Sequence, residues 1–112
     1  MRNTYKKGTL TFFAYKTENN RWIAACRELG VLVEQVKKED AVRKMLEQTK
    51  FTLMVVKENK LSEDLLNKDI PQEILQEFQA VVQRSNKPKE WNNWSKWDKS
   101  VEEMKKNDLA IA

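Results

Sequence analysis

The sequence predicts an α+β fold: three antiparallel strands, with room for a fourth, packed by a helix in β-β-β-α order and followed by further helices. Three observations carry this. Residues 9–36 hold three short runs rich in β-branched and aromatic residues, separated by turn chemistry. From about Lys38 the apolar period changes from two to that of a helix. The chain has 112 residues and only two glycines and two prolines, which suits one compact domain and excludes a loop-rich or low-complexity one.

Residues 1–8 are polar and basic and read as a loose, solvated end. Residues 9–16, TLTFFAYK, form the first strand, with Leu10, Phe12 and Ala14 on one face and Thr11, Phe13 and Tyr15 on the other. Aromatic residues on both faces call for cover on both: a helix on one side, a partner or second helix on the other. Glu18, Asn19 and Asn20 supply a hairpin turn, because asparagine tolerates positive φ. The strand at 21–27 alternates Trp22, Ala24 and Cys26 against Ile23 and Ala25. Gly30 punctuates the chain, and residues 31–36 give a third strand.

Ala41, Val42, Met45, Leu46, Thr49, Leu53 and Val56 then share one helical face, predicting a helix to about Lys57. Within it, residues 51–56 also have the composition of a strand. Residues 61–69 read as a short helical turn or a connection. Pro71 opens a second helix, to about residue 84, with Ile74, Leu75, Phe78, Val81 and Val82 as its apolar stripe. The predicted core residues are Trp22, Cys26, Leu29, Gly30, Ala41, Val42 and Leu46. A buried Trp22 implies a cost of ~3–5 kcal/mol for Trp22→Ala.

Residues 89–112 are harder to place. Trp91, Trp94 and Trp97 recur every third residue, and Trp94, Trp97, Val101, Met104 and Ile111 trace a narrow apolar seam that predicts a helix over about 98–108. Ser100 and Glu103 form a candidate capping box, which would start that helix near Val101 and leave the tryptophans in a loop. The chain is therefore divided into a 1–60 β-β-β-α unit and a 61–112 helical extension whose 89–99 segment is tryptophan-rich. A chain cut after Pro88 is expected to stay folded but to bind its partner poorly.

Chemistry is conspicuous by what is missing. The chain has no histidine and a single cysteine, so Ser-His and Cys-His catalysis and an internal disulfide are excluded. No glycine-rich phosphate loop occurs, and the adjacent carboxylates Glu39-Asp40 and Glu102-Glu103 point in different directions on a helix. Cys26, inside a strand, reads as a buried inert thiol. The expectation is a non-enzyme without cofactor or metal. No run approaches a membrane span or a signal peptide, so the chain is expected to be cytoplasmic. Net charge is +4; residues 1–60 hold 13 Lys+Arg against 7 Asp+Glu, and residues 61–112 hold 8 against 10. The basic half is the sheet half.

The motif formed by Trp22, Ala24, Cys26, Glu28, Leu29, Gly30 and Val31, followed without a gap by Glu39, Asp40, Ala41 and Val42, resembles the N-terminal domain of HicB-like antitoxins over about residues 9–60. Arg27 stands where that family usually has proline, Gln35 where it has a turn glycine, and Val36-Lys37 where it has an Asp-Thr cap. The resemblance implies a non-catalytic antitoxin. Its partner would be a small basic HicA-like ribonuclease toxin with a double-stranded-RNA-binding fold, whose catalytic histidine it masks. It also implies, in many members, DNA binding through a C-terminal module. A homo-oligomer is expected as well. Residues 61–112 show no ribbon-helix-helix or helix-turn-helix pattern. Two other readings stay open: an RNA- or single-stranded-nucleic-acid-binding domain, and a stand-alone regulatory or oligomerisation module. Trp91, Trp94 and Trp97 with Lys96 and Lys99 are the candidate contact residues, either as interface anchors or as base-stacking rings between cations. They could equally cover the domain's own sheet.

Overall fold

The computed structural model describes residues 3, 8–84 and 93–106. Its strands are β1 (Thr9–Lys16), β2 (Trp22–Cys26), β3 (Val31–Gln35) and β4 (Trp94–Ser100); its helices are α1 (Lys38–Glu58), α2 (Gln72–Arg84) and α3 (Val101–Lys106), with a 3-10 turn at Glu63–Leu66. The four strands form one sheet in the order β3-β2-β1-β4, antiparallel throughout. The fold is α+β. The fourth strand comes from the tryptophan segment, not from residues 51–56, which continue α1.

Alternation on β1 is what builds the molecule in layers. Leu10, Phe12 and Ala14 join Ala24, Cys26, Val31 and Val33 on one face, covered by Ala41, Met45, Leu53 and Val56 of α1 and by Val101 and Met104 of α3. Phe13, Tyr15, Ile23 and Ala25 line the other face, covered by Phe78 and Val81 of α2. A strand buried on both sides cannot show polar alternation, which is why TLTFFAYK is apolar on both faces. The cover on the second face is α2.

The turns follow local chemistry. Asn20 takes φ 60 in the β1–β2 hairpin, and the Thr17 N–H donates to Arg21 O at 2.7 Å. Gly30 sits at φ 68, and a Cβ there would stand 3.0 Å from Asp69 O, so both backbone and space require glycine. Lys37, the N-cap of α1, supplies no side-chain cap, the local consequence of Val36-Lys37. By contrast, the Ser100–Glu103 box forms: Glu103 N–H donates to Ser100 Oγ at 3.0 Å and starts α3 directly after β4. The predicted helix over 98–108 is therefore corrected to a strand ending at Ser100 and a helix from Val101; its residues beyond 106 lie outside those described.

The expectation of a loose N-terminal end is corrected at Asn3. It is buried, its N–H donates to Asn67 Oδ1 at 2.7 Å, and its Oδ1 accepts from Thr9 N–H at 2.9 Å. This ties Asn3 to the C-terminal end of the 3-10 turn.

Burial pushes the Cys26 thiol up from about 9 to about 12. Burial, then the hydrogen bond from Tyr15 Oη to Glu77, also pushes the Tyr15 phenol upward. Both groups fold as neutral acids. Below their unfolded pKa values their contribution to stability is complete, and for Cys26 it drains away as pH rises from about 9 to about 12. Thermal melts should therefore fall steadily above about pH 9, and Cys26→Ala should flatten part of that slope. Iodoacetamide at about pH 8 should leave the native thiol intact and label it rapidly in denaturant.

Candidate functional site

The sheet leaves two outer edges, and their residues differ in kind. β4 carries Lys96, Asp98 and Lys99, charges that discourage strand pairing. β3 reads VLVEQ, with Glu34 its one charged residue, held by Arg21 Nε at 2.5 Å. Among the described residues no strand pairs with its outer edge. Leu32 on β3 is 39% exposed, and Val36 immediately after it is 64% exposed. An open edge with apolar side chains and few charges is a template for a strand from another chain.

A second apolar surface lies on the outer side of α1. Phe51 is 62% exposed and Met54 48% exposed, three residues apart and so on one helical face, pointing away from the buried stripe of Ala41, Met45, Thr49, Leu53 and Val56. Sequence reasoning passed over both surfaces. The signal for this one was present: Phe51 and Met54 are out of phase with the apolar stripe. For Leu32 the signal is weaker, because the run VLV reads as core on every residue.

The candidate contact residues are not brought together. Trp94 and Trp97 lie on opposite faces of β4, since three residues along a strand invert the side. Trp97 stacks on Phe12 with ring centroids 5.6 Å apart, on the α1 side. Trp94 meets Phe78 edge-on at 6.1 Å, on the α2 side. Both rings are half-buried and contribute to the domain's own packing. Lys96 is exposed and Lys99 half-exposed, on alternate faces. Trp91 lies outside the described residues. The seam expected from Trp94, Trp97, Val101 and Met104 is corrected: only Trp97, Val101 and Met104 share one core.

Of the predicted core, Cys26, Leu29 and Ala41 are buried, while Trp22, Val42 and Leu46 are half-buried at its margin. Lys38 Nζ rests 5.3 Å from the Trp22 ring centroid and donates to Ser95 Oγ at 2.7 Å, joining α1, β2 and β4. With the ring only half-buried, Trp22→Ala should cost about 1–2 kcal/mol in urea unfolding, less than the cost expected of a fully buried ring.

Among the described residues no group of three or more His, Cys, Asp or Glu could hold a metal ion, and no helix is long and apolar enough to cross a membrane. No family model, no curated protein and no solved structure matches the chain.

Proposed function

We propose that the chain is a non-catalytic interaction protein of the HicB-like antitoxin type, which binds a small basic ribonuclease and silences it. The observation that carries the reading is the contrast between the two sheet edges. β4 is guarded by Lys96, Asp98 and Lys99, whereas β3 presents Leu32 and Val36 with a single, already paired, carboxylate. Main-chain hydrogen bonds along β3 would give affinity, and Leu32 and Val36 would give the apolar contact. The motif around Trp22, Cys26, Leu29 and Gly30 supplies the family resemblance. The nucleic-acid reading is less supported, because the Trp94 and Trp97 rings pack on Phe78 and Phe12 and lie on opposite faces, which offers no continuous stacking platform.

The test is capture of partners from native lysate by the tagged protein, with and without nuclease, alongside Leu32→Lys and Val36→Lys. A small basic protein that survives nuclease, whose ribonuclease activity falls on binding and which the edge variants release, is the expected result. Nucleic acid alone, lost with nuclease, would transfer the assignment to an RNA-binding domain. Recovery of the chain only as an oligomer would make it a stand-alone module.

A further inference from the structure

A groove of about 330 Å³ lies between α2 and the β1–β4 half of the sheet. Its apolar lining is Phe13, Leu75, Phe78 and Val82; its charged lining is Arg27 and Lys96, with no carboxylate among the lining residues. The nearby acids are otherwise engaged or turned to solvent. Both Glu28 oxygens accept from Thr11, at 2.7 Å from the N–H and 2.9 Å from the hydroxyl. Asp69 faces Arg27 at 3.4 Å, and Asp98, on the same strand face as Lys96, is exposed and outside the lining.

Trp94 also lines the groove, and among the described residues its buried indole Nε1 has no hydrogen-bond partner. Buried donors are almost always paired, so an orphan donor beside a groove points to an acceptor supplied from outside. The volume falls in the range of small-molecule sites, and an apolar lining with a few convergent polar groups is their usual make-up.

We propose that this groove is a binding site for a small aromatic carboxylate. The ring system lies against Phe13, Phe78, Leu75 and Val82. The carboxylate meets Lys96 and Arg27, and one of its oxygens accepts from Trp94 Nε1 once that ring turns to open the buried atom to the groove. Lys96 acts here as a ligand contact in its own right, independent of the β3 edge and of any protein partner.

The experiment is a titration of the full-length ¹⁵N-labelled protein with naphthalene-2-carboxylate, following the Trp94 Nε1–H cross-peak, which Trp94→Phe assigns. Naphthalene-2-methanol serves as the uncharged comparator. Expected is a saturating shift of that peak with the acid, at least about tenfold weaker with the alcohol and in Lys96→Glu, since a charge-assisted hydrogen bond is lost. If Lys96→Glu does not keep the native amide spectrum, Lys96→Gln is read in its place. No saturation below about 10 mM, equal binding of acid and alcohol, or undiminished binding in the lysine variant would each overturn the site.

Discussion

A chain ending at Pro88 should fail to fold cooperatively. The cut removes β4 and α3, and with them the outer hydrogen-bonded neighbour of β1 along Thr9–Tyr15. Phe12 loses the stacked ring of Trp97, and the first core loses Val101 and Met104, both fully buried. On the second face Phe78 loses the edge contact of Trp94. At ~1.5–3 kcal/mol for each fully buried side chain and something less for each half-buried tryptophan, the loss exceeds about 5 kcal/mol. Marginal domains have about 5–15 kcal/mol in total. Urea unfolding by circular dichroism and a ¹⁵N amide spectrum would measure it, with a broad, non-cooperative transition and collapsed dispersion as the expected result. A fragment that melts like the parent would show β4 to be dispensable. This reverses what the sequence alone led one to expect of the same cut.

Phe78→Ala should have the next largest effect. Phe78 is the hub of the second face: its ring lies 4.4 Å from Phe13, 5.9 Å from Tyr15 and 6.1 Å from Trp94. Besides it, α2 is pinned by the Glu77 carboxylate accepting from Tyr15 Oη and by Val81. A fully packed aromatic ring removed from such a place costs about 3–5 kcal/mol. The damage should be local first. Amide exchange in α2 should accelerate before exchange in β1 and β2, because α1 and α3 still cover the other face. Uniform acceleration across both faces would show the two cores to be one cooperative unit.

Much of the fold was legible because the relevant residues obey one period at a time. β1 was readable to the residue from TLTFFAYK, and α1 and α2 from their apolar stripes. β4 was not, for a physical reason. Trp94 and Trp97 are three apart, a helical interval, yet in an edge strand with a core on either side that interval sets one half-buried ring against each core. The pattern WSKWDKS carries no alternation to betray it, and its pairing with β1 is decided by residues some eighty positions away. The candidate surfaces were less legible still. Leu32 and Val36 are apolar like the core, and only the strand order reveals that they sit on an open edge. Phe51 and Met54 were readable from phase alone.

Of the two inner strands, β1 is the first to be made and the last to be satisfied. β1 finds β2 through a tight hairpin, but its other neighbour, β4, arrives only after the ribosome has passed Ser100. At about 5–20 residues per second that is a wait of several seconds with a two-faced apolar strand open along one side. During that interval the nascent chain displays Phe12 and Phe13 beside unpaired backbone, a natural client surface for a holding chaperone and a nucleus for aggregation when synthesis outpaces capture. Slow translation through α2 would lengthen the exposure, so codon choice between residues 72 and 84 becomes a lever on soluble yield.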